Sequence, residues 1–226
     1  MKSKILSIAV LASLVILAGC EFDNYDEPQS TLTGNVTYNG ANVGVRSGAT
    51  QLELWQYGFA LRQKIPVQIA QDGTFSARLF DGNYKLVRLA GAPWSNQTDS
   101  ISVTVSGSTT VNVPVTPYYV ITNPAFSYTS GTKTISGSGL VTKVGTANIT
   151  SVTLYVGVTN IVDANNNSQN TTISGAALAD LSTPKTLNIV LSTANQARQY
   201  VFVRMGVLSA GSAERFYTPV QKVALQ

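Results

Sequence analysis

Apolar side chains recur at every second position along most of this chain, in short runs cut by glycine turns. Leu32, Val36 and Tyr38 alternate with polar residues before Asn39-Gly40, and Leu52 and Leu54 lie on one face with Gln51, Glu53 and Trp55 on the other. Ile65, Val67 and Ile69 repeat the pattern, as do Ile101, Val103, Val105 and then Val111, Val113, Val115. A period of two puts alternate side chains on opposite faces of a strand, so each run buries one face. Asp72-Gly73 and Asp81-Gly82 supply residues that tolerate turn geometry, each followed two residues later by an aromatic that opens a strand. Ser106-Gly107-Ser108 reads as the turn of a hairpin between the two valine runs. Strands about every ten residues, with no helical period between them, predict an all-β sandwich. Charged residues make up 12% of the chain, about half the usual share, which fits a strand-rich surface of Thr, Ser and Asn.

Pro114, Pro117 and Pro124 cluster around Tyr118-Tyr119, and proline interrupts ladders. The reading is therefore two tandem β-sandwich domains, 31–117 and 118–226, joined by a link short enough that they abut. In the second half, Val152, Leu154, Val156 and Val158 form one buried face. Leu187, Ile189 and Leu191 form another, and Val201, Val203, Met205 and Val207 a third. Ser136-Gly137-Ser138-Gly139 is expected to break a strand, and the Asn-rich stretch from Ile161 to Pro184 to hold a loop or a short helix around Ala176 to Leu181.

Several of these motifs resemble known modules. Thr31-Leu32-Thr33-Gly34-Asn35-Val36, Asp72-Gly73-Thr74-Phe75 and Gly82-Asn83-Tyr84-Lys85-Leu86-Val87 are similar to the prealbumin-like repeat of carboxypeptidase regulatory-like domains. Arg88 departs from that pattern where an apolar residue is usual, which puts the register of its strand in question. Tyr200 to Val207, a loop, and Tyr217-Thr218-Pro219-Val220 resemble the last hairpin of fibronectin type III domains, which implies an immunoglobulin-like second sandwich.

The N-terminus carries an address. Lys2 and Lys4 precede an apolar run from Ile5 to Ala18, too short at about 21 Å of helix to cross a bilayer core of about 30 Å. It reads as a signal peptide over residues 1–19. Leu17-Ala18-Gly19-Cys20 resembles a bacterial lipobox, which implies cleavage before Cys20 and acylation of that residue, with palmitate among the chains expected. Removing 19 of 226 residues leaves 207 and lowers 15 basic side chains to 13, against 11 acidic. Residues 20–30 read as a polar tether, and Glu21, Asp23, Asp26 and Glu27 resemble the surface-export signal of Bacteroidetes lipoproteins. The whole chain is similar to an uncharacterised family of two-domain Bacteroidetes lipoproteins that accompany starch-utilisation-type transporters. That resemblance implies a lipid-anchored outer-membrane protein displayed at the cell surface. Its implied partners are a polysaccharide or an outer-membrane transporter complex.

Chemistry is bounded by what is missing. There is no histidine, so no imidazole base and no histidine-ligated metal. The single cysteine is consumed by acylation, which leaves no thiol for catalysis or for a disulfide within the chain. Asp163-Ala164-Asn165-Asn166-Asn167-Ser168 begins like a calcium loop but lacks the glycine at position six and the glutamate at twelve, where Ser174 stands, and it reads as a polar loop tip. Neither a metal nor another cofactor is expected, nor an enzyme. Nucleic-acid binding has no support, because the basic residues are scattered. The candidate ligand-binding residues are Trp55, Tyr57 and Trp94, off the predicted core faces, since such rings stack on sugars. The competing expectation is that Trp55 packs between the domains and Trp94 plugs the end of a sandwich. Asp99-Ser100-Ile101 matches a Bacteroidetes O-glycosylation pattern and makes Ser100 a candidate acceptor. Glycan binding, and a structural spacer or adhesin-like interaction module, are the readings carried forward.

Overall fold

The computed structural model describes residues 26–58 and 62–226. Cys20, the leader and the acidic residues as far as Asp23 lie outside the described residues. The first sandwich is built from β1 (Ser30–Tyr38), β2 (Ala41–Asn42), β3 (Gln51–Gln56), β4 (Lys64–Gln68), β5 (Thr74–Leu79), β6 (Gly82–Arg88), β7 (Ser100–Val105) and β8 (Ser108–Pro114). One sheet is centred on β1, with β8 parallel along one edge and β5 and β2 antiparallel along the other. The facing sheet has the order β4-β3-β6-β7. Leu32, Val36, Leu52, Leu54, Leu86 and Val113 are fully buried between the two, as the alternation requires. Gly34, the glycine of the prealbumin-like motif, sits where an added methyl would run into the Val111 carbonyl and the Phe75 ring.

The two valine runs around Gly107 are not a hairpin. β7 pairs with β6 and β8 pairs with β1, so the chain crosses from one sheet to the other at Ser106-Gly107. Asp81 fixes that crossing: its carboxylate accepts hydrogen bonds from Ser30 Oγ and from the Gly107 N–H (3.2 Å). Arg88 keeps the expected register despite its charge. It points inward beside Leu86, and its guanidinium donates to the Pro114 carbonyl (2.9 Å) and to Asp99 Oδ1 (2.6 Å).

The second sandwich contains β9 (Tyr119–Thr129), β10 (Thr134–Lys143), β11 (Ile149–Gly157), β12 (Gln169–Ser174), β13 (Lys185–Val190), β14 (Tyr200–Ser209), β15 (Phe216–Tyr217) and β16 (Gln221–Ala224). Its sheets are β13-β10-β9 and β12-β11-β14, with β15 and β16 both on the free edge of β14. Ser136 to Gly139 do not break a strand; they lie within β10, which carries an irregularity between Ser138 and Leu140. The stretch from Ile161 holds a short helix close to the expected place, one turn of 3₁₀ at Gly175–Leu178, and before it a strand, β12, that the Asn-rich composition does not announce. Val158 lies beyond the end of β11 and is exposed rather than part of its buried face. No helix among the described residues is long and apolar enough to cross a membrane.

The sandwiches meet through β14 and β15. The face of β11 and β14 turned away from the second core is also buried, and it carries Tyr155, Arg204 and, from β15, Tyr217. Arg204 donates to the Val45 (3.1 Å) and Gln71 (2.6 Å) carbonyls of the first sandwich. It also donates to Val162 (3.2 Å) and Thr218 (2.7 Å) of the second, while its guanidinium lies 4.4 Å from the Tyr217 ring centre. Gly44 and Tyr217 form a backbone bridge beside it, with Tyr217 N–H donating to the Gly44 carbonyl at 2.9 Å. At the other end Arg46 pairs with Glu214, and Ser212 Oγ donates to the Ala92 carbonyl (2.9 Å). This density of backbone and side-chain bonds across the join fixes one domain against the other.

Candidate functional site

The sheet β4-β3-β6-β7 has one face on the first core and one in solvent. Its strand register shows what the solvent face carries. One row runs Lys64–Trp55–Lys85–Ser102 across all four strands, and the next runs Pro66–Glu53–Val87–Ser100. Facing residues on neighbouring strands are close enough for side chains to touch. Trp55 therefore stands mid-sheet with a lysine on each side. Its indole N–H donates to Glu53 Oε2 (3.3 Å), and Lys64 Nζ donates to Glu53 Oε1 (2.7 Å), so one carboxylate holds both neighbours in place. Lys85 Nζ donates to Ser102 Oγ (2.5 Å) and has no carboxylate partner among the ion pairs of the described residues.

Tyr57 follows just beyond the end of β3 and is 57% exposed, with the Arg62 guanidinium 5.4 Å from its ring centre. Two shallow hollows share Tyr57 and Lys85. One, of about 260 Å³, is bordered by Trp55, Arg62, Val87 and Ser100. The other, of about 610 Å³, is bordered by Asn83, Ser102 and Thr104. The arrangement offers rings for stacking, with cations and hydroxyls around them. That combination suits a polar ligand with flat apolar faces.

Of the residues singled out in the sequence, Trp55, Tyr57 and Ser100 come together here. Ser100 is the exposed first residue of β7, two strands from Glu53 in the same row. Trp94 does not join them. It is 1% exposed, pairing in a short backbone bridge with Pro117, while Ser95 N–H donates to the Thr116 carbonyl (2.9 Å) and Tyr118 N–H to that of Pro93 (3.1 Å). The segment that looked like a surface loop is a small ladder against the link between the domains, and it turns the indole inward. Trp94 is thus a packing residue and not a ligand platform. Trp55, in turn, faces solvent on the outer sheet and does not pack between the domains.

A second concavity, of about 500 Å³, lies at the join and is lined by Asn42, Gln71, Asp72, Phe202, Arg204 and Lys222 among others. No local motif marks it. Its signal was the bulk on the supposed polar face of β11 and β14, namely Tyr155, Phe202 and Arg204. The Arg204 donors are directed at four carbonyls, and burial pushes its pKa down to about 10, so it keeps its proton at neutral pH as a structural tie. Asp163, expected at a loop tip, is instead fully buried close by. It accepts from the Asn165 (2.8 Å) and Asn166 (2.9 Å) N–H groups and from Asn166 Nδ2, and so organises its own loop. Among the described residues no group of three or more acidic or other ligating side chains is placed to hold a metal ion.

Two family models together match the two sandwiches. Residues 30–116 match the N-terminal domain of DUF3823, a protein family of unknown function, and residues 119–222 match its C-terminal domain. No curated protein matches the sequence. Among solved structures, a DUF3823 protein from Bacteroides ovatus shares 37% identity at a TM-score of 0.82, over 87% of this chain and 100% of that one. Another from Parabacteroides merdae shares 34% identity at a TM-score of 0.79, over 88% of this chain and 100% of its own. A Bacteroides uniformis protein described as a candidate for carbohydrate binding has the same fold at 17% identity and a TM-score of 0.72, over 88% of this chain and 100% of its own. By sequence and by fold, the chain belongs to the two-domain DUF3823 family.

Proposed function

We propose that this protein is a non-catalytic lipoprotein, anchored through Cys20 to the outer membrane and exposed at the cell surface, that binds polysaccharide as an accessory component of an uptake system. The observation that carries the binding reading is the outer face of β4-β3-β6-β7, where Trp55 and Tyr57 stand among polar and charged side chains. A flat sugar ring covers the indole, and its hydroxyls meet Lys85, Ser100 and Ser102. The shared fold with the Bacteroides uniformis protein supports the same reading without identifying a ligand. The non-catalytic part of the reading rests on Glu53, which is committed to Lys64 and the indole, whereas a glycosidase uses two free carboxyl groups facing each other about 5 to 9.5 Å apart.

The test is a panel of soluble polysaccharides run by affinity electrophoresis and calorimetry against the full chain purified in detergent. Binding to at least one polymer that falls tenfold or more, about 1.4 kcal/mol, in Trp55→Ala supports the assignment. Absence of binding across plant and host polysaccharides refutes it. In cells, labelled palmitate should be incorporated by the parent and lost in Cys20→Ala, and protease added to intact cells should digest the protein.

A further inference from the structure

The charge on the Trp55 face narrows the ligand. Around the aromatic pair stand three cations, Lys64, Lys85 and Arg62, and one carboxylate, Glu53. Glu53 is already committed: it is 8% exposed and accepts from Lys64 and from the Trp55 indole. The other acids nearby turn elsewhere. Asp99, beside Ser100, is largely exposed but its charge is met by the ion pair with the buried Arg88, and Asp81 accepts from Ser30 and Gly107 at the sheet crossing. Lys85 is left facing both hollows, and Arg62 the smaller one, with no carboxylate in contact among the described ion pairs. Neutral sugars are usually held by rings together with carboxylates and amides, which accept hydroxyl hydrogen bonds. Here the groups with free capacity donate, and lysine and arginine donors recognise anionic oxygens best.

We infer that the outer face of β4-β3-β6-β7 recognises an anionic polysaccharide, with a ring stacked on Trp55 and its carboxylate or sulfate held between Lys85 and Arg62. This rests on the glycan-binding reading above and names its substrate class. Ring stacking and ion pairing make separable contributions. Stacking is insensitive to salt, whereas ion pairs at an exposed face weaken as the screening length shortens from about 10 Å at 0.1 M salt to about 3 Å at 1 M. Uronate and sulfate share this chemistry, and the choice between them lies in geometry that the polymers themselves will report.

The experiment compares polygalacturonate, chondroitin sulfate and heparin with amylose and xylan, each at 0.05 and 0.5 M NaCl, using the full chain. The parent should bind at least one acidic polymer about tenfold or more tighter than the neutral ones, with affinity falling at high salt. Lys85→Gln with Arg62→Gln should remove that preference without changing the melting temperature, while Lys222→Gln, a cation on β16 of the other domain, should leave it intact. Preference for uronate polymers or for sulfated ones then identifies the anion. Equal binding of neutral and acidic polymers, or an acidic preference that survives the double substitution, overturns this inference and leaves the wider glycan reading standing. Binding of no polymer overturns both.

Discussion

Arg204 gives the most demanding test of how this protein is held together. Its guanidinium is 1% exposed yet faces no carboxylate among its hydrogen-bond partners; it donates to two carbonyls from each sandwich. Replacing it with Met keeps most of the stem against Tyr217 and removes every donor. Four carbonyls are then left to find water or remain unpaired, at about 1–3 kcal/mol for each that stays dry. The loss is offset by relief of the cost of burying a charge and by water entering from the adjoining cleft, so the net expectation is about 3 kcal/mol. For a protein of this size each kcal/mol lowers the melting temperature by about 2–4 °C, which predicts a fall of about 6–12 °C. Arg204→Lys should recover only part of this, because one ammonium has three donors and no fork to span the join. Calorimetry supplies a second readout. The parent should unfold in one transition, and Arg204→Met should separate it into two as the sandwiches uncouple. A Met variant melting within about 2 °C of the parent, in one transition, would show that Arg204 is not the tie described.

Other substitutions probe single features. Gly34→Val should cost about 3 kcal/mol or more, measured by urea denaturation, because a side chain there meets the Val111 carbonyl and the Phe75 ring with no room to yield. Arg88→Met should be close to neutral, within about 1 kcal/mol, since it restores an apolar residue to an inward position and removes a buried charge. Hydrogen bonds from Ser30 and Gly107 hold the Asp81 carboxyl below the usual aspartate pKa. The stability this contributes is present above the unfolded value, near 4, and is lost as pH falls through the folded value. Melting temperatures taken from pH 7 to pH 2 should therefore fall more steeply for the parent than for Asp81→Asn.

The alternation of apolar residues exposed most of the fold, because most strands have one dry face and their inward residues pattern themselves; β11 and β14, buried on both faces, are the exception. Trp55 was legible for the same reason, as an aromatic on the wrong parity. What stayed hidden depended on partners distant in sequence. Nothing local to Ser106-Gly107-Ser108 distinguishes a tight hairpin from a step between sheets; that depends on β1 being free to accept β8 along a full parallel register. Trp94 follows Gly91 and Pro93 and looks like a loop residue, but Thr116 and Tyr118 give its backbone a ladder. Arg204 reads as an ordinary solvated strand residue until Val45 and Gln71 are brought over it.

The parallel pairing of β1 with β8 also has a mechanical meaning. Residues 31–37 of β1 lie against 108–114 of β8, while residues 30–35 are bonded on the other edge to β5. A pull entering at Ser30 along the strand axis cannot open these ladders one rung at a time. It must slide β1 past both neighbours, so the whole set of hydrogen bonds shares the load until it fails together. A strand bonded along both edges at the start of the fold is a shear clamp against any load that enters from its N-terminal side.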